Sequence, residues 1–300
     1  MGRMKLYRQP SRRGYEVGRL ALLRAAAPRD LVCVGYGLGI ALLVVLSYIL
    51  GALRLLPYDP QEMDLALMMA RPGVGGHLLG TDFMGRDILS RLILGTQAYF
   101  LPGLLGITIA LAAGTIFGVL AGYHGRTADR AITFVVNLID SFPRLVLILL
   151  MIAAFKPGIY YIMVVVGITN VPTVASLIRG KIQFLRDKSF IEAAVAIGLN
   201  SRTIILKHIL WYNCRSLLII QATLGMAEAI LIETSLSYLG FGVQEPAPSW
   251  GNMVLSGANY LLQGKFWLST TPALAILVTI LGFHLLGDGL NNILEAGGKK

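Results

Sequence analysis

Four ionisable residues, Asp140, Arg144, Glu228 and Glu233, stand inside long apolar stretches of this 300-residue chain. A charge in a bilayer faces protein or a water-filled path, so the chemistry open to these groups is pairing with another helix or meeting a charged solute. Asp140 and Arg144 are four apart, a spacing that puts both on one face of a helix within reach of each other. Interhelical pairs would orient the third and fifth apolar stretches. Alternatively, Arg144 lines a pathway and meets a substrate carboxylate, or it snorkels to the surface. A second set, Phe190, Ile191, Glu192, Ala193, Ala194, Ile197 and Gly198, interrupts the apolar sequence with a short alanine-rich helix. Glu192 charges and caps its first turn, and Ala193, Ala194 and Ala196 keep one face thin. Gly198 with Asn200 then permits a sharp reversal into a helix that begins near Ser201. Such an element is suited to insert into a partner protein. The sequence contains no Gly-x4-Gly-Lys-Ser/Thr loop, no zinc-binding helix and no Ser-His-Asp set. His77, His124, His208 and His284 fall in separate segments, and Met63, Met68, Met69 and Met84 suit packing better than ligation, so no metal site is expected.

The elements that must position these residues are membrane helices. Hydrophobic residues make up 55% of the chain and charged ones 14%, more apolar surface than one water-soluble core of this size can bury. Stretches long enough to span a bilayer are Leu31–Leu53, Tyr99–Tyr123, Ala131–Phe155, Gly158–Ile178, Ser216–Phe241 and Phe266–Leu286. With a cytoplasmic N-terminus, 19 of the 26 Lys and Arg residues fall in cytoplasmic segments, which is the positive-inside bias. Because the basic residues recur beside span ends, the net charge of +10 speaks for a lipid bilayer and against nucleic acid. Cys33 and Cys214 lie near cytoplasmic span ends and imply neither a disulfide framework nor a metal site. The expected organisation is a basic cytoplasmic segment (1–30), a retained first span (31–53) and an extracytoplasmic loop (54–98). A transmembrane core (99–288) holding a cytoplasmic loop (179–215) and a short cytoplasmic tail (289–300) complete it. Within 54–98 an interfacial helix is expected at Asp87–Leu94, and "GTDFMGRD" reads as a solvated turn in which Asp82 and Asp87 cap short helices. Residues 242–265 read as a re-entrant segment or a lid over the outer mouth.

The pattern Glu192-Ala193-Ala194-x3-Gly198, followed by "KHIL", resembles the coupling loop of bacterial ABC importer permeases. "HLLGTDFMGRDILSRLILG" (77–95), "DSFP" (140–143), "QATLGMAEAILIETSLSYLGFGVQEPAPSWGNM" (221–253) and "LLGDGLNN" (285–292) are similar to the second permease subunit of dipeptide, oligopeptide and nickel importers. The resemblance covers roughly residues 77–292. It departs at Trp211, where the family has the proline of a Leu-Pro pair, and at Arg144, where an apolar or small residue is usual. Glu233 matches an acidic position of the family; Arg144 and Glu228 are particular to this sequence. The resemblance implies an all-α integral membrane protein of six helices with the type I ABC importer permease fold. It also implies a homologous second permease, an extracytoplasmic solute-binding protein, and two cytoplasmic ATPases that hold ATP and Mg, none of it bound by this chain. A bacterial inner membrane location with both termini cytoplasmic follows. Peptides are the leading cargo, with nickel or a metal chelate as the alternative. A pore without ATP would need no coupling loop, and an ion-coupled transporter would lose uptake with the ion gradient.

Overall fold

The computed structural model describes residues 28–123, 125–154 and 158–298. Most of the expected basic N-terminal segment, His124, the turn at 155–157 and the final two lysines lie outside them. The helices are α1 (Pro28–Ala52), α2 (Ile88–Gly95), α3 (Phe100–Tyr123), α4 (Arg126–Asp140), α5 (Arg144–Ala154), α6 (Ile159–Arg186) and α7 (Ser189–Ala196). They continue with α8 (Ser201–Thr203), α9 (Arg215–Tyr238), α10 (Trp250–Ala258) and α11 (Trp267–Gly298). A π-helical run, Ile204–Cys214, joins α8 to α9 without a break. Among the described residues five stretches are long and apolar enough to cross a membrane, and six if α4 and α5 count as one. Leu42, Leu46, Leu274 and Leu277 are exposed on α1 and α11, an arrangement that suits lipid and not water.

Small residues set the central packing. Along α3, Gly106, Ala110, Gly114, Gly118 and Gly122 recur every four residues, which stacks them as a groove on one face. Helix α6 lies in that groove. A methyl group added at Gly167 would stand 2.5 Å from the carbonyl oxygen of Gly106, and one at Gly106 would stand 2.6 Å from that of Met163. Further along, Val174, Ile178 and Ile182 of α6 fill the notches left by Gly114, Gly118 and Gly122. The first and last helices close together in the same manner at Gly37 and Gly282, and Asn292 donates to Asp30 at 3.0 Å.

The stretch expected to span as Ala131–Phe155 is not one helix. It bends by 74° between α4 and α5, at Ser141-Phe142-Pro143. Pro143 has no N–H to donate and disfavours a helical conformation at the residue before it, so the chain turns there. Helix α4 is amphipathic and is tied to α6 by Arg179, whose Nη2 donates to Asp129 Oδ2 at 2.8 Å and whose Nε donates to Oδ1.

The extracytoplasmic loop is also more deeply packed than a solvated turn. Asp87 does cap α2, accepting from Ser90 N at 2.7 Å, while it also pairs with His77 at 2.9 Å. Asp82 accepts from the backbone of Met84 and Arg86 and caps no helix. Helix α2, where an interfacial helix is expected, is buried within the protein through Ile88, Ser90, Arg91 and Leu92. The element above it is α10. Trp250 Nε1 donates to Leu92 O at 2.9 Å, and Ser249 with Asn252 forms a capping box that starts α10. Arg86 and Arg91, each 1% exposed, converge on Glu245 from the segment before α10. Arg86 Nη1 donates to Glu245 Oε2 at 2.8 Å and Arg91 Nη2 to Oε1 at 3.0 Å. These bonds join 54–98 and 242–265 into one cap.

Replacing Gly167 or Gly106 with Ala should force α3 and α6 apart at a cost of about 1–3 kcal/mol, the range for overpacking a close contact. Gly35→Ala, which meets nothing within 4 Å, should be neutral or slightly stabilising. Thermal unfolding of the purified variants in detergent checks this, and equal midpoints for Gly167→Ala and Gly35→Ala would contradict it.

Candidate functional site

Two places gather the chemistry. One is a cavity of about 460 Å³ among α3, α5, α6, α9 and α11, lined on its apolar side by Gly103, Gly106, Ile107, Ala110 and Gly225. The glycine groove that admits α6 also keeps this wall thin. Arg144, Asn170 and Glu228, with Thr173, Gln221 and His284, supply the polar side. Arg144 Nη1 pairs with Glu228 Oε1, Arg144 Nη2 donates to Asn170 Oδ1 at 3.2 Å, and Asn170 Nδ2 donates to Glu228 Oε2 at 2.9 Å. The pair is neither dry nor at the surface: the two side chains are 30% and 31% exposed.

Only two of the four intramembrane charges meet here. Asp140 lies on α4 before the 74° bend, so it does not share a helix face with Arg144; it is exposed, and although its charge still acts on Arg144, the direct partner of Arg144 is Glu228. Glu233 is fully buried five residues further along α9, outside the cavity lining. Its Oε1 accepts from Ser237 Oγ at 2.7 Å, and Ser237 Oγ accepts from Val243 N at 3.1 Å. Glu233 therefore fastens the outer end of α9 to the cap. Asn170 was invisible as a member of the network in the sequence, because an amide at helix spacing among apolar residues carries no partner information until α5 and α9 are placed beside it.

The second place is the loop expected on the cytoplasmic side. The segment 179–215 is helical almost throughout: α6 runs on to Arg186, α7 follows after Asp187 and Lys188, and α8 begins after a reversal at Gly198. Gly198 has φ +82°, the left-handed conformation that its lack of a Cβ permits, and an added Cβ there would touch nothing within 4 Å. Asn200 caps α8, accepting from Thr203 N at 2.7 Å. The expected cap at the start of α7 is absent as such. Lys188 occupies that position without a side-chain bond, and Glu192 only adds charge to the first turn. Ile191 and Ala194 point inward and pack with Ile182, Leu185 and Ile204. Phe190, Glu192, Ala193, Ile197 and Gly198 are exposed, Ile197 at 76%. The expected set thus divides into two anchors and five outward residues. At Trp211, where a proline would lack an N–H, the helix continues as the π run, and Asn213 Nδ2 donates to His208 O at 2.6 Å.

Residues 114–299 match the family described as binding-protein-dependent transport system inner membrane component. The chain is 37% identical over 245 residues to the probable D,D-dipeptide transport system permease protein DdpC of Escherichia coli, covering 81% of each. It is 38% identical over 219 residues to the dipeptide transport system permease protein DppC of Alkalihalophilus pseudofirmus, covering 73% of this chain and 71% of that one. It is 34% identical over 268 residues to the glutathione transport system permease protein GsiD of Pectobacterium atrosepticum, covering 89% and 87%.

If Arg144 and Glu228 hold α5 against α9, Arg144→Ala should destabilise the fold by about 1–3 kcal/mol, between the values for exposed and buried pairs. Adding Glu228→Ala should recover part of that loss, because an unpaired carboxylate is worse than none. A double variant as unstable as the sum of the two singles in a thermal unfolding cycle would show that the pair is not coupled.

Proposed function

The chain belongs to the family of binding-protein-dependent transport system inner membrane components, and from that premise we propose that it is the peptide-carrying permease half of an ATP-driven importer. The observation that carries this reading is α7. An exposed apolar face, Phe190, Ala193 and Ile197, on a helix anchored from behind by Ile191 and Ala194, fits a cleft in another protein. The partners are two cytoplasmic ATPases, a homologous second permease and an extracytoplasmic binding protein. The ATPases close on ATP and draw α7 with them. Because α7 packs on the cytoplasmic end of α6, and α6 lies in the groove of α3, the movement reaches the wall of the central cavity as a rigid-body shift. Peptides are favoured over nickel as cargo because the relatives above are named for dipeptide and glutathione transport. Orientation follows the charge bias, with α7 cytoplasmic and the cap outside.

Gly198→Val should disfavour the left-handed conformation by about 1–2 kcal/mol, a factor of roughly 5–30 in the population that presents α7 correctly. Gly198→Asn, which visits that conformation more readily, should be closer to wild type. Both are compared by ATP-dependent dipeptide uptake in proteoliposomes holding the complete transporter, and full uptake by Gly198→Val would refute the coupling role. In a background with Cys33 and Cys214 replaced by Ala, Arg202→Cys should react with an impermeant maleimide only from the cytoplasm and Ala247→Cys only from outside. Reaction of both from one side would overturn the orientation.

A further inference from the structure

Resting on the peptide-importer reading, we propose that Arg144, Asn170 and Glu228 form a subsite for the two charged ends of a zwitterionic peptide, Arg144 taking the carboxylate and Glu228 the ammonium. Three observations carry this. The three side chains come from three separate helices, α5, α6 and α9, and converge on one cavity whose remaining lining is mostly glycine and aliphatic, with Thr173, Gln221 and His284 as further polar groups. The volume of about 460 Å³ falls within the range of small-ligand sites. The pair is also about 30% exposed on both sides, unlike Glu233, which is fully buried where its role is fastening.

Electrostatics then favours a ligand with both signs. A lone anion would leave Glu228 without its partner, and a lone cation would leave Arg144 alone, each at the cost of an uncompensated charge in a membrane. A zwitterion replaces both halves of the internal pair at once. It exchanges one ion pair for two while keeping the site neutral. Asn170, which bridges the two side chains in the empty cavity, is then free to bond the peptide's own amide. The internal pair competes with the ligand, so occupancy is weak, and weak binding is what a conduction pathway needs for release.

The test uses the complete transporter, with dialanine as the free zwitterion and N-acetylalanine amide as the blocked form. Arg144→Gln/Glu228→Gln keeps hydrogen-bonding side chains and removes both charges. In saturation-transfer NMR on the detergent-solubilised wild type without binding protein, dialanine should receive signal and the blocked form should not. The double variant should lose the dialanine signal. In proteoliposomes compared at equal amounts of assembled transporter, it should take up dialanine at least about tenfold more slowly than wild type, the loss expected from removing charged hydrogen bonds. Arg144→Lys/Glu228→Asp should restore part of the uptake. Equal dialanine signal and equal uptake in the wild type and the Gln variant would overturn the subsite and leave the pair a structural tie. Absence of any ATP-dependent dialanine uptake by the wild type would refute the peptide-importer reading itself. In that event the NMR arm still decides the subsite, since no dialanine signal in the wild type overturns it.

Discussion

The contact of Gly106 with Gly167 is the constraint from which the remaining arrangement follows. Lipid tails are as apolar as a leucine side chain, so helices inside a bilayer gain little by hiding hydrophobic surface and must hold together through close packing. Backbones that approach to glycine distance leave α6 one position against α3. From that position α6 carries Asn170 to the cavity, Arg179 to Asp129 on α4, and Ile182 with Leu185 to the underside of α7. One helix thus joins the exposed face of α7 to a central space. A single methyl at residue 106 or 167 acts on all of these contacts together.

Polar groups are distributed by a matching logic. Outside, Arg86 and Arg91 are buried and answered by Glu245 and Asp82, and this network closes the cap over α2 and α10. On α9, Glu233 bonds Ser237 and so secures the outer end of the helix. In the middle, Arg144 and Glu228 are left partly open to a cavity. Two of these three groups tie one element to another. The third faces space, which is why it is the one to which a ligand can be assigned.

Much of this was legible in the residues. The apolar stretches, the helix at 189–196, the reversal at Gly198 and the cap on α2 at Asp87 all follow from local chemistry: length of apolar run, alanine content, the need for a positive φ, and an N-cap aspartate. The misjudgments arose where a distant partner decides. Apolar length alone makes Ala131–Phe155 read as one straight helix, but Pro143 bends it, and Asp140 and Arg144 then no longer share an i, i+4 face. The turn at 80–87 looked solvated because its charges carry no mark of Glu245, which lies 159 residues beyond Arg86. The four-residue repeat of small side chains along α3 was present in the sequence and would have located the α6 contact. Ile191 and Ala194 could be separated from their outward neighbours only once Ile182 and Ile204 were placed beneath them.

The central claim is that α7 and the cavity wall move as one body because α6 joins them. Spin labels at Ser189 on α7 and Leu104 on α3, in the assembled transporter, measure this most directly by electron–electron resonance. The comparison is between nucleotide-free and ATP-trapped states that differ in the accessibility of the cavity to solvent. The account predicts the same Ser189–Leu104 separation in both states. A separation that changes with nucleotide would mean that α7 slides or swings on its own, and would contradict the rigid connection through the α3–α6 contact.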